Sequence, residues 1–152
     1  MKTNLVFKKI LMSILVVLTA SISIAQKSQI EKANKEFDKY SYIDAREIYL
    51  KIVEDGYESA QVFQKLGDTY YYNSDYSEAE KWYKKLINQY PNEAEPIYYY
   101  RTAQCLKSLG RYDEADQMME DYAKVGGSGI ILNNYKEDPD YLKSIAFQAK
   151  GY

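Results

Sequence analysis

Three alanines, Ala45, Ala79 and Ala115, hold one place in a pattern that recurs along this chain at a spacing of 34 and then 36 residues. Such a period marks helix-turn-helix solenoids, in which a single repeat cannot bury its own apolar face and must stack on the next. The middle copy is the plainest. Phe63, Leu66, Gly67 and Tyr70 fall at i, i+3, i+4 and i+7, the stripe of a first helix; Asn73-Ser74-Asp75 breaks it. Ala79, Trp82, Tyr83, Leu86 and Ile87 line a second helix that Pro91 stops. Ser77, with Glu80 three residues on, reads as the capping box that starts this helix. Gly67 and Ala79 are expected to face each other where the two helices cross.

The third copy keeps the frame with Tyr99, Ala103 and Leu106, then Gly110 at the turn, then Tyr112, Ala115, Met119 and Tyr122. The first copy is fainter: Ala33, Tyr42, Ala45, Tyr49 and Ile52 fit, but Gln29 and Lys32 stand where apolar residues are expected, as is common in a terminal repeat. Gly56 is expected to close its second helix. The copies thus cover about 26–59, 60–93 and 96–125. Gly126-Gly127-Ser128-Gly129 is flexible by composition, so 126–137 is expected to be a linker, with Ile130-Ile131-Leu132 open to strand or helix. Asp138-Pro139 reads as an N-cap followed by proline at the first helical position, predicting a capping helix within 138–152 with Tyr141, Leu142 and Ile145 along one side.

Residues 1–25 do not join this pattern. Lys2, Lys8 and Lys9 precede an apolar run from Ile10 to Leu18, and Ser23-Ile24-Ala25 supplies small residues where a signal peptidase reads. The expectation is a cleaved signal peptide, a mature start at Gln26 and an exported, periplasmic chain. Without those three lysines, 17 basic residues face 22 acidic ones, a net of −5 that argues against phosphate-backbone binding. Cys105, the only cysteine, lies between Ala103 and Leu106 and is expected to be a buried thiol.

The chain has no histidine, which removes imidazole-based nucleophile systems and the usual zinc sites. Neither a thiolate pair nor a strand-flanked phosphate loop is present in the sequence. Glu78, Glu80, Asp113, Glu114, Asp116, Glu120 and Asp121 read as solvated helix faces rather than acid-base pairs or calcium ligands. The expectation is a non-enzymatic protein without cofactor, metal, nucleic acid or small-molecule substrate. The 18 tyrosines divide. Tyr49, Tyr70, Tyr83, Tyr99, Tyr112 and Tyr122 take framework positions and are expected in the core, whereas Tyr71-Tyr72 and Tyr98-Tyr99-Tyr100 suit either ligand contact or packing between helices.

The framework residues Ala33, Ala45, Tyr49, Phe63, Leu66, Gly67, Tyr70, Ala79, Tyr83, Pro91, Ala103 and Ala115 resemble those of the tetratricopeptide repeat (TPR) family. The resemblance implies an all-α, right-handed TPR helix-turn-helix solenoid of three repeats with a C-terminal capping helix, serving as a protein or peptide scaffold. It also implies a concave groove lined by the first helix of each repeat. The positions concerned are Asn34 and Phe37 in the first copy, Gln64, Asp68, Tyr71 and Tyr72 in the second, and Ile97, Tyr100, Gln104 and Lys107 in the third. A variant of the repeat grips C-terminal carboxylates with a clamp of two lysines and two asparagines. Asn34, Lys65 and Arg101 match it, but Ile30 and Ile97 stand where its basic residues would be.

A narrower likeness rests on Lys27-x-x-Ile30-x-Lys32-Ala33-Asn34, Tyr42-Ile43-Asp44-Ala45, Lys65-Leu66-Gly67-Asp68-x-Tyr70-Tyr71, Tyr98-Tyr99-Tyr100-Arg101-x-Ala103-Gln104-x-Leu106-Lys107-Ser108 and Asp140-Tyr141-Leu142. The chain is similar to the N-terminal segment of OmpA-family envelope proteins of Bacteroidetes, some of which belong to the type IX secretion apparatus. That likeness implies a partner in outer-membrane or secretion-system assembly; the alternative is a stand-alone peptide-binding or chaperone-like protein.

Overall fold

Each helix pair is closed by one recurring backbone device. At Tyr40, Ser74 and Gly110 the chain turns left-handed, with φ of 63°, 61° and 74°. In all three copies the same two bonds form: Tyr40, Ser74 and Gly110 donate to the carbonyls of Phe37, Tyr71 and Lys107, and the following residues Ser41, Asp75 and Arg111 donate to Glu36, Tyr70 and Leu106. This is the Schellman closure, which satisfies carbonyls that a helix end leaves over. Only the third copy places glycine there. A tyrosine and a serine accept the same strained conformation where the two closing hydrogen bonds hold it.

The structure, a computed structural model, describes residues 8, 12 and 26–138. The signal-peptide expectation for 1–25, Lys8 and Met12 apart, and the capping-helix expectation beyond Asp138 lie outside the described residues. Two compact units divide at Tyr57. In the first, α1 runs through residues 26–38 and α2 spans Tyr42–Glu54. Ala33, Ala45 and Tyr49 are fully buried in it, and Gly56, φ 86°, closes α2 as expected.

The second unit holds α3 (Ala60–Tyr72), α4 (Tyr76–Gln89), α5 (Pro96–Ser108), α6 (Tyr112–Lys124) and α7 (Gly129–Lys136). Consecutive helices pack on each other from α3 through α6, and α7 rests on α6. All regular structure among the described residues is helical. The Ser59 hydroxyl accepts the Val62 N–H at the start of α3, and proline opens α5 where a missing N–H costs nothing. For α4 the cap is Asp75, whose carboxylate accepts the Glu78 N–H at 3.3 Å. The expected Ser77 box is therefore displaced by two residues. An aspartate at this turn leaves the last left-handed residue directly, so the helix begins before Ser77 is reached.

The two extra residues between the second and third copies also have a place. Helix α4 is one residue longer than α2, and the passage to α5 is wider by one. Where Gly56 and Gly126 turn left-handed, the corresponding Tyr90 has φ −129°, and its carbonyl accepts from Glu93 and Ala94. The Gln64 side-chain amide reaches across to donate to the Glu93 carbonyl at 3.3 Å. Pro91 lies exposed in this passage, just past the end of α4.

The expected linker is a structured corner followed by a helix. Gly126 (φ 88°) and Gly127 make the same pair of closing bonds, to Ala123 and Tyr122. A Cβ on Gly127 would lie 2.3 Å from the Tyr122 ring, whose hydroxyl accepts the Ser128 N–H at 2.7 Å. Composition read these glycines as slack, whereas they allow a left-handed turn and a close approach. Tyr135 on α7 then donates to the Asp116 carboxylate at 2.8 Å, tying α7 to α6.

Four of the six framework tyrosines, Tyr49, Tyr83, Tyr99 and Tyr122, are buried as expected. Tyr70 and Tyr112 are only half-buried, since each lies at the border of its helix's apolar stripe. Glu80 departs the other way: it is 7% exposed, held by Lys84 at 2.6 Å and Arg111 at 3.3 Å. It joins α4 to the start of α6 instead of facing water.

Cys105 is fully buried against Ala79 and Tyr83. Burial pushes its thiol up to about 12, with the Glu80 charge adding to the effect and Arg101 opposing it. Only the thiolate attacks a disulfide reagent. At pH 8 the folded protein should thus react with Ellman's reagent only as fast as it unfolds. A rapid stoichiometric burst in native buffer would contradict this. The sign for stability follows: a thiol raised above its unfolded value of about 8.5 contributes fully below that pH, and the contribution is lost as pH climbs toward 12.

Candidate functional site

The first helices of the second and third copies, α3 and α5, bring five of the expected groove residues, Asp68, Tyr71, Tyr72, Tyr100 and Gln104, together around one buried acid. Asp68 follows Gly67 on α3 and is 6% exposed. Its Oδ1 accepts the Tyr83 hydroxyl at 2.7 Å and pairs with the Arg101 guanidinium from α5. Burial pushes the Asp68 carboxyl up, against the lowering effect of Arg101 and of the Tyr83 and Arg101 hydrogen bonds. Desolvation is the largest single influence on Arg101 and works against its charge, yet Asp68, Tyr83 and Tyr72 together outweigh it and hold the guanidinium protonated. The pair is thus a partly buried ion pair whose anion is desolvated and whose cation is not in doubt.

Aromatic rings wrap that cation. The guanidinium carbon lies 5.5, 5.4 and 5.8 Å from the ring centres of Tyr71, Tyr72 and Tyr98, and Nη2 donates to the Tyr72 hydroxyl at 3.0 Å. Arginine over aromatic faces gains electrostatic attraction that grows with desolvation. Tyr71 and Tyr72 meet edge to face at 5.7 Å, and Tyr98 packs on Tyr83 at 5.6 Å. Beside this cluster runs a neutral chain. The Tyr71 hydroxyl donates to Gln104 Oε1 at 2.9 Å, and Gln104 Nε2 donates to the Tyr100 hydroxyl at 3.0 Å.

Asp68, Tyr71, Tyr72, Tyr100 and Gln104 therefore form one connected surface. Tyr72 is 44% exposed, and Tyr71, Tyr100 and Gln104 are half-buried. Of the two alternatives for the tyrosines the packing between helices is seen, and all but Tyr99 keep part of their surface accessible. Ile97 is half-buried on α5. Lys107 lies farther along α5, its ammonium 2.5 Å from Asp138. Gln64 is turned to the Glu93 carbonyl, as described. Asn34 and Phe37 belong to the first unit, where Asn34 accepts the Tyr49 hydroxyl at 2.6 Å and Phe37 meets Tyr42 edge-on at 5.2 Å.

Asn34 and Asp68 occupy the same repeat position, as do Tyr49 and Tyr83. One hydroxyl-to-oxygen bond thus recurs in two copies. In the third copy the pair becomes Gln104 and Met119; with no hydroxyl opposite, the amide turns to Tyr71 and Tyr100 instead.

Tyr83 and Tyr98 were not among the expected groove residues, and Arg101 was expected only as a match to the carboxylate clamp. A signal for Arg101 existed, because an acid next to Gly67 on an inward stripe needs a counter-charge. Gly67 lies closest to Tyr83: a Cβ there would lie 2.3 and 2.4 Å from the ring's Cε1 and Cδ1. The small residue makes room for the tyrosine that holds Asp68.

Comparison with known proteins agrees with this architecture. Residues 60–93 and 98–125 each match a tetratricopeptide repeat family. The fold is an all-α TPR solenoid. DnaJ homolog subfamily C member 7 of Mus musculus is 42% identical over 62 residues, 41% of this chain and 12% of that protein, so the chain spans a small part of that relative's length. Among solved structures, PcrH in complex with the chaperone binding region of PopB superposes with a TM-score of 0.59. It is 17% identical, with 84% of this chain and 93% of that one covered.

Proposed function

We propose that this chain is a non-enzymatic TPR scaffold that holds a protein or peptide partner on the face formed by α3 and α5, in the periplasm, during outer-membrane or secretion-system assembly. The observation that carries the binding reading is the joined surface of Tyr71, Tyr72, Tyr100 and Gln104, where partly exposed rings lie beside a neutral amide. Tyrosines of that kind offer rigid contact area at little entropic cost and anchor many interfaces. The matched repeats support a protein-interaction role. Residues 1–25 and the likeness to OmpA-family envelope proteins support the compartment.

Tyr71→Ala with Tyr100→Ala should weaken capture of an envelope partner by about 30-fold, the loss of roughly 2 kcal/mol typical of an interface anchor. A Lys124→Ala control, on α6, should leave it unchanged. Equal capture by all three proteins would overturn the assignment of this face. Indiscriminate binding of many unfolded chains would favour the stand-alone chaperone-like reading. Export is checked by the mass of the protein recovered from the periplasm, which should begin at Gln26.

A further inference from the structure

We propose that Asp68 sets the charge class of ligand that the α3–α5 face accepts: by holding Arg101 it turns away ligand carboxylates and reserves the face for an uncharged, extended stretch of peptide. This rests on the binding role proposed above and specifies the partner's chemistry.

Arg101 is the cation of the face with both the rings and the donors to receive a carboxylate. One N–H of Nη1 is directed at Asp68 and one of Nη2 at the Tyr72 hydroxyl. Asp68 cannot readily swing aside, because Tyr83 donates to it from a fully buried position and the carboxylate lies within the packed layer. A ligand carboxylate reaching for the other N–H groups of Arg101 would lie beside the like charge of Asp68. Lys107, the other groove cation on α5, is likewise matched by a carboxylate of the chain, Asp138 at 2.5 Å. Beside the pair the face presents neutral groups: the partly exposed rings of Tyr72 and Tyr100 and the amide of Gln104. Such a surface suits backbone amides and uncharged side chains from within a partner's sequence, and not its terminal carboxylate.

Asp68→Asn tests this with little change of shape, since the amide oxygen can still accept the Tyr83 hydroxyl. Acetate and acetamide serve as probes, with the Arg101 Nε–Hε resonance followed by NMR. In the wild type neither probe should move that resonance saturably. In Asp68→Asn, acetate should bind at Arg101 at least about tenfold more tightly than in the wild type, a gain of the size expected for a charge-assisted bond, while acetamide should not. Adding Arg101→Gln should abolish the gain. Saturable acetate binding at Arg101 in the wild type would overturn the proposal, and this measurement needs no variant to fold. Absence of any gain in a folded Asp68→Asn would overturn it as well. Neither result depends on finding a partner, so loss of the scaffold reading would show separately, as failed capture.

Discussion

Leucine in place of Gly67 is expected to destabilise the protein by about 3 kcal/mol or more, the upper end of what overpacking costs. The reason is local. The first added carbon would already lie 2.3 Å from the Tyr83 ring. That ring is fully buried, its hydroxyl is held by Asp68, and its flanks rest on Tyr71 and Tyr98. It has no free direction in which to move. Alanine at 67 should cost less than leucine, because it forces only one carbon against the ring, while both recover most of the roughly 1 kcal/mol of helix propensity that glycine lacks. Urea unfolding of the two variants measures the difference. A leucine variant with the wild-type midpoint would show that α3 and α4 can part without penalty.

Removing the arginine of the central pair is expected to cost about 3 kcal/mol in Arg101→Met. That is the low end for breaking a buried ion pair, because the Arg101 side chain keeps a fifth of its surface exposed. Its pH dependence identifies the cause. The Asp68 carboxyl already stands above its usual value through burial, and Arg101 is the largest influence opposing that rise. Without Arg101 it should rise further. A carboxyl raised in the folded state contributes stability fully below its unfolded value of about 3.9, and loses it as pH climbs through the folded value. The deficit of Arg101→Met against the wild type should accordingly be smallest near pH 4 and widen toward neutrality. Adding Asp68→Asn should recover part of it at pH 7. A deficit independent of pH would assign the loss to the packing of the guanidinium on its three rings.

The helix pairs were legible because their signals are local: a stripe at 3.6-residue spacing, small residues at a crossing and a polar break after each first helix. Ala33, Ala45, Ala79, Ala103 and Ala115 are all fully buried, as the 34-residue spacing required. The segment after Val125 was misread because glycine has two physical uses, and composition alone does not distinguish a free chain from one turned tightly against Tyr122. Asp68 was found as a groove position and Arg101 as a clamp match, yet their pairing was not. Arg101 lies 33 residues away, and the pairing exists only once α5 is laid beside α3. Tyr83 was recognised as framework for the same local reasons as the other copies, which concealed its second task of holding the acid.

The widened passage from α4 to α5 bears on how a ligand would be read. An array of identical copies offers equivalent registers, and a bound strand could slide from one to the next at no cost. Two added residues break that translation between the second and third copies, and the change from Asp68 to Gln104 at one repeat position breaks it chemically. If the proposed binding face holds a strand across α3 and α5, it would meet the acid Asp68 at one repeat and the neutral amide of Gln104 at the equivalent place in the next, which would distinguish one register from the other.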